Sequence, residues 1–378
     1  MPPRYIKKIE HAFKSLLNLP LCLILGKGDP FRIPVDPAQI KSILILRPDK
    51  LGDMIVTIPV FHAIKKHYPH LRIEVIASPR NKGMIEHDPQ VDEIHLYTKN
   101  IFKDLALIMK LRRRRFDIVY DPICHDSTTG LLLSRIIGRG AVRAAARKLK
   151  LRSFYDYCRP YLPDGTDHNI DNGFLIFEVF GINPDSVDPF LPIHLPEESR
   201  RKADHFWMTL PDNGSFRVGL NISAGSRTRT LEIEKYIEIV NYLHVNHPNL
   251  EFVILCVMAD RHKAEDLMRN IRAASYLIPE HLSLLDVAAI IKRLDLLISP
   301  DTSMIHIARL MKIPVVGLYS GHKRNFHFWR PYRQKHGAVV AVNIDNIFDI
   351  MPDQVVSEFE LLIEEIGYSE KSPSGKDH

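Results

Sequence analysis

The stretch "ILILRPDKLGDMIVTIPV", residues 43–60, decides the fold. Four apolar residues run without alternation, a charged corner ends at Gly52-Asp53, and an apolar pattern then resumes at helical spacing. An unbroken apolar strand fits a parallel sheet buried on both faces. A strand that hands over to a helix through a short loop opens a βαβ unit, and the loop at the carboxyl end of such a strand lines the ligand crevice. Asp53 therefore has two readings, a carboxylate offered to a ligand or the cap of the following helix. Arg47, Lys50 and Gly52 share its corner. Pro59 either kinks the next helix or sits in its first turn.

Working outward, the same alternation repeats. "SILILR", "RIEVIAS", "VDEIHLY" and "FDIVYDP" read as strands, with helical patterns up to about Tyr68 and through "FKDLALIMKLRRRR". A second series begins at "FRVGLNIS" and continues through "EFVILCV", "DLLIS" and "PVVGLYS", with helices from about Glu232, Asp260 and Ser303 and at "SLLDVAAIIKRL". The Pro-rich "INPDSVDPFLPIHLPEE" between the series suits a linker. The pattern predicts an α/β protein of two Rossmann-like domains with a ligand cleft between them. The expected divisions are a basic amphipathic extension over 1–40, a first domain over 41–190, a linker over 191–212, a second domain over 213–345, a C-terminal helix over 346–370 and a disordered tail over 371–378.

With 378 residues, 45% of them hydrophobic and 25% charged, the chain is long enough for two domains with sizeable cores. The formal charge of +6 favours a polyanionic partner without choosing among nucleic acid, anionic lipid and a phosphorylated substrate. Cys22, Cys124, Cys158 and Cys256 form no C-x-x-C pair, which suggests neither a disulfide framework nor a zinc site and suits a reducing compartment. The N-terminal apolar run holds Pro20, ends at Gly26 and is too short to span a bilayer. That basic segment has two readings, a helix lying on an anionic membrane surface and a helix packed on the protein itself.

Two further stretches carry chemistry. In "LLISPDTSMIHIARLMKIPVVGLYS", Thr302 and Ser303 sit where hydroxyls cap a helix whose amide N–H groups can receive phosphate, with Asp301 just before them and His306 about one turn on. In "NISAGSRTRTLEIEKY", a loop of small residues, Ser223, Gly225 and Ser226, leads to Arg227 and Arg229, whose guanidiniums suit a diphosphate. A capped helix with a satisfied histidine and a solvated loop are the plainer accounts of these stretches. There is no G-x-x-x-x-G-K-[ST], G-x-G-x-x-G, H-E-x-x-H or D-x-D, so a P-loop, the usual dinucleotide fingerprint and a carboxylate-held metal are unsupported. The basic runs "KLRRRRFD" and "RAAARKLKLR" raise nucleic acid as a partner, but the first closes a helix, where cations favour the dipole, and it lacks interleaved aromatics.

Taken in order, "ILRPDKLGDMIVTIPVFHAIKKHYPHLRIEVIASPRNKGMIEHDPQVDEI", "LRRRRFDIVYDP", "GLNISAGS" and "SPDTSMIHIARLMKIPVVGLY" resemble glycosyltransferase family 9, the lipopolysaccharide heptosyltransferases. The resemblance runs from Lys41 to about Val342. It implies a GT-B fold and inverting transfer with no metal cofactor. It also implies that Asp53, the aspartate of the L-G-D corner, is the catalytic base. Arg229 then stands where the family has a phosphate-binding lysine, Ser303 where a D-T-G glycine is commoner, and His306 matches the histidine of D-T-x-x-x-H. Asp260 is the nearest candidate for the acidic residue that holds the donor ribose. The resemblance further implies ADP-heptose as donor, a lipopolysaccharide inner-core glycolipid as acceptor, no nucleic acid as partner, and a cytoplasmic enzyme working peripherally at the inner membrane. Competing expectations are a GT-B enzyme for another sugar or glycan, and a non-catalytic glycan-binding member.

Overall fold

A computed structural model describes residues 27–162, 168–191 and 193–368. The expected extension lies outside the described residues as far as residue 26, and so does the expected tail. The chain divides into two compact units, one made of residues up to 162 with 169–191, the other of His168 and 193–368.

The first unit is a sheet of six strands: β1 (Ser42–Arg47), β2 (Arg72–Ala77), β3 (Glu93–Leu96), β4 (Ile118–Asp121), β5 (Val142–Lys148) and β6 (Tyr157–Pro160), in the order β3-β2-β1-β4-β5-β6. Every pairing is parallel. The helices are α1 (Leu51–Ile55), α2 (Ile58–His67), α3 (Ile101–Arg114), α4 (Thr128–Ile137) and α5 (Asn169–Phe174). β1 is continuously apolar because both of its faces are covered. Leu44 and Leu46 join Leu111 of α3 and Leu133 and Ile137 of α4 in one cluster, and Ile43 and Ile45, on the other face, are equally buried.

β5 carries the basic run "RAAARK", which the sequence offered as a charged patch. Ala144 to Ala146 are buried in the sheet, and Lys148 is fully buried. Its ammonium donates to the carbonyls of Ile123 (2.7 Å) and His125 (3.1 Å) and pairs with Asp121 Oδ2 at 2.8 Å. Three acceptors satisfy the buried cation.

The second unit repeats the winding. Its strands are β7 (Phe216–Asn221), β8 (Leu250–Leu255), β9 (Ser275–Leu277), β10 (Leu296–Pro300), β11 (Val315–Tyr319) and β12 (His336–Val340), in the order β12-β11-β10-β7-β8-β9, all parallel. Counted within each unit, both sheets have the order 3-2-1-4-5-6 of a dinucleotide-binding fold, with a switch point between β1 and β4 and another between β7 and β10. The helices are α6 (Glu197–Met208), α7 (Ile233–Asn246), α8 (Arg261–Asn270), α9 (Leu284–Ile291), α10 (Ser303–Leu310), α11 (Lys323–Trp329) and α12 (Pro352–Glu365). Val355, Phe359 and Leu362 of α12 pack into the core with Val218, Leu220 and Ile298.

The stretch 191–212, expected as a linker, differs from that expectation by containing α6. The prolines end at Pro196, and Glu197 and Glu198 open the helix, where acidic residues favour its dipole. Ala203, Phe206 and Trp207 are buried, and the Trp207 ring lies 4.9 Å from the Arg217 guanidinium and 5.3 Å from that of Arg293. No helix among the described residues is long and apolar enough to cross a membrane.

Candidate active site

In the first unit, β1 ends at Arg47, and Lys50 takes the cap position of α1. Asp53 lies in the helix's first turn and is not its N-cap residue, though its carboxylate accepts from the Lys50 and Asp53 backbone amides. Pro59 falls in the first turn of α2, where a missing N–H costs nothing.

Arg47 organises the corner from a side chain only 1% exposed. Its Nη1 lies 2.7 Å from Asp49 Oδ2 and 3.7 Å from Asp53 Oδ1. Its Nε donates to Thr57 Oγ1 (2.7 Å), which in turn donates to the Asp53 carbonyl (2.7 Å). Its Nη2 reaches the Pro122 carbonyl at 3.4 Å, across the switch point from β1 to the exit of β4. Asn81, fully buried, closes the corner from below: its amide donates to the carbonyl of Arg47 at 2.9 Å and lies 3.4 Å and 3.5 Å from those of Lys50 and Asp49.

Two carboxylates share this one guanidinium. Burial raises the pKa of Asp53, against the pull of Arg47 and Lys50. Burial and the neighbouring Asp53 likewise raise that of Asp49, and Arg47 opposes them. A partly buried carboxylate of raised pKa is a stronger base than one in water, and the guanidinium favours its anionic form.

The second unit gathers its residues at the matching switch point. Asn221, the last residue of β7, donates to Ser299 Oγ (2.9 Å) and Thr302 Oγ1 (3.1 Å) on the β10 side. Thr302 caps α10 by accepting from the Met304 amide, with Ser303 as the helix's first residue. Arg229 closes a short 3-10 turn, Arg227–Arg229, whose cap is Ser226. Its Nη1 donates to the Asp301 carbonyl at 2.7 Å and lies 3.8 Å from Asp301 Oδ2, which also accepts from Asn325 at 3.0 Å. A Cβ on Gly225 would stand 3.7 Å from Arg229 Nη2, so the small loop runs beside the guanidinium. Asp301, Thr302, Ser303 and Arg229 are thus brought together beside the positive end of a helix, an arrangement that suits a phosphate group.

Asp260 sits next to this loop, but Ser223 Oγ holds its Oδ2 at 2.7 Å and Lys263 Nζ its Oδ1 at 2.8 Å. Burial acts to raise its pKa, and the bonds from Lys263 and Ser223 overcome that and lower it. His306 is 4% exposed, with its ring 5.2 Å from that of Trp329. Burial, helped by Arg309, pushes its pKa down to about 3, so the imidazole is neutral and offers a phosphate no positive charge.

Among the described residues, one cluster could hold a metal ion. Glu74, Glu93 and His95, at the β2–β3 edge, place three donor atoms within 4.8 Å of one another. Glu74, however, already receives Arg72 at 2.9 Å, Arg114 at 2.7 Å and His95 at 2.6 Å. Burial acts to raise its pKa, and these partners bring it down to about 2.

Sequence reasoning missed Asp49, Thr57, Asn81, Asn221, Ser299 and Asn325. Asn221 left a signal, since an amide ending an otherwise apolar strand invites a reason. Asn81 and Asn325 left none, because their partners are distant in the chain.

The sequence profile of glycosyltransferase family 9 (heptosyltransferase) matches residues 105–351. The chain belongs to this family. It is a glycosyltransferase of the heptosyltransferase family, and its α/β fold is of the GT-B class. The lipopolysaccharide core heptosyltransferase OpsX of Haemophilus influenzae is 23% identical over 324 residues, 84% of this chain and 87% of that protein. A glycosyl transferase of family 9 from Veillonella parvula has a similar structure, with a TM-score of 0.71 and 21% identity over 86% of this chain and 97% of that one. The E. coli ADP-heptose lipopolysaccharide heptosyltransferase II follows at 0.66 and 17%, over 86% and 100%. At these identities the likeness to the two structures is one of fold. The family match begins after the β1 corner, so the role of Asp53 rests on the corner itself.

Proposed function

We propose that this family member transfers a heptose from ADP-heptose to a hydroxyl of a lipopolysaccharide inner-core acceptor, inverting the anomeric centre, without a metal cofactor and with Asp53 as general base. The observation that carries this reading is the Arg47 corner: a partly buried carboxylate with raised pKa, held at the carboxyl end of a parallel strand by an arginine 3.7 Å away. Asp53 removes the proton from the acceptor hydroxyl as its oxygen attacks the anomeric carbon, and the diphosphate leaves from the opposite face. One displacement gives one inversion. The charge gathering on the diphosphate falls to Arg229 and the N-terminus of α10, where it costs little reorganisation. His306, being neutral, supports the turn of the helix and not the charge. The acceptor is reached peripherally at the cytoplasmic face of the inner membrane.

A second reading, a different nucleotide sugar on the same chemistry, draws on Asp260, both of whose oxygens are engaged within the protein.

The test is to incubate purified protein with ADP-heptose and an inner-core glycolipid, following ADP release and the mass of the acceptor. A heptose-sized gain supports the first reading. If no ADP is released and another nucleotide sugar is consumed, the second replaces it.

A further inference from the structure

The outward side of α3 is apolar where a soluble helix is usually polar. Ile101 is 78% exposed, Phe102 82%, Leu105 58% and Met109 42%. At roughly 100° per residue these four fall within about 100° of arc, one continuous stripe. The stripe is distinct from the helix's inner face, where Leu111 is buried and Leu107 and Ile108 pack beside it on the sheet core. Beyond it stand Lys103, Lys110 and Arg113, all exposed, with Lys110 Nζ 4.0 Å from Glu93 Oε1 of β3. The helix's one acid, Asp104, is buried and turned inward, accepting from the Thr98 amide at 2.9 Å.

We propose that α3 is a membrane-docking helix, its apolar stripe entering the interface of an anionic bilayer and its lysines and arginine meeting the lipid headgroups. An apolar stripe edged by cations, on a helix with no exposed acid of its own, is the chemistry of an interfacial helix. Charge argues against the other ways of covering the stripe. A second copy would bring Lys103, Lys110 and Arg113 against themselves. The chain's own residues 1–26 carry Arg4, Lys7, Lys8 and Lys14 against the single acid Glu10, which again sets cation against cation. The inference deepens the acceptor end of the proposed reaction and rests on that acceptor being carried on lipid. Its test uses no sugar donor, so it stands or falls apart from the donor assignment.

The experiment is vesicle pelleting with the full chain, using phosphatidylcholine alone or mixed with phosphatidylglycerol. Three proteins are compared: wild type, Phe102→Ser with Leu105→Gln on α3, and the control Leu361→Gln on α12, another exposed apolar position. Thermal melting checks the fold, which the exposed α3 substitutions should leave unchanged. Wild type and control should pellet with the anionic vesicles, and the α3 variant should bind at least about tenfold more weakly, the loss expected on removing two buried apolar side chains from the interface. Equal binding by all three proteins would overturn the proposal and move any membrane contact elsewhere in the chain. Equal binding of wild type to vesicles with and without phosphatidylglycerol would overturn the role of the cations. A variant that loses self-association in sedimentation velocity, with vesicle binding unchanged, would assign the stripe to a second copy.

Discussion

Asp53 and Asp49 compete for one guanidinium, and the competition sets how the enzyme should respond to pH. If Asp53 is the base as proposed, its raised pKa means that catalysis should fade as pH falls through that raised value, earlier than an ordinary carboxylate would dictate. Asp49→Asn removes a neighbouring negative charge, which lowers the pKa of Asp53 and should carry the acidic limb of the kcat/KM profile to lower pH. A limb that stays in place would show that the two carboxylates are independent. Asp53→Asn should lower kcat by about 10²–10⁴-fold, the usual worth of a positioned base, while calorimetric titration still finds donor binding. Asp53 stood out in the sequence as a carboxylate between a strand and a helix, where capping the helix was the plainer reading and the resemblance alone gave it a catalytic role. Its hold on Arg47 was not legible, since that depends on Thr57, Asn81 and the Pro122 carbonyl, which only the folded sheet brings near.

Elements were legible where the physics is local. β1 and β11 hold unbroken apolar runs, residues 43–46 and Val315–Tyr319, β7 and β10 are mostly apolar, and the cap at Thr302 follows from its place before an amphipathic helix. β5 escaped because Arg143, Arg147 and Lys148 disguise a central strand, and the ion that makes Lys148 tolerable, Asp121, lies on another strand. α6 escaped because prolines crowd its approach. The link between β7 and β10 is likewise tertiary. Asn221→Ala should strand Ser299 and Thr302 without their amide donor, costing about 1–3 kcal/mol for buried groups left unpaired. Thermal unfolding would register a fall of roughly 2–4 °C for each kcal/mol in a unit of this size. Donor affinity should weaken with it, because Thr302 caps the helix proposed to face the diphosphate. An unchanged melt with weakened donor binding would assign Asn221 to the ligand instead of the fold.

For the whole molecule, two units with separate cores should answer separately to separate insults. Lys148→Ala leaves Asp121 buried without its cation, a loss of about 3–5 kcal/mol confined to the first unit. If ADP binds near Arg229 and α10 as proposed, it should stabilise the second by about 2.7 kcal/mol at a hundredfold excess over its Kd. Differential scanning calorimetry should therefore resolve two transitions, the mutation lowering one and ADP raising the other. A single transition moved by both would mean that the units unfold together. The repeated 3-2-1-4-5-6 winding has a consequence of its own. In each half, the residues proposed to meet substrate come from one rim of the sheet, on loops and first helical turns that contribute little to the hydrophobic interior. On the proposed reading, drift in those segments would retune acceptor preference in one half and donor preference in the other while each scaffold is inherited intact. Chimeric chains that trade the β7–β12 half between family members should accordingly carry donor choice with them.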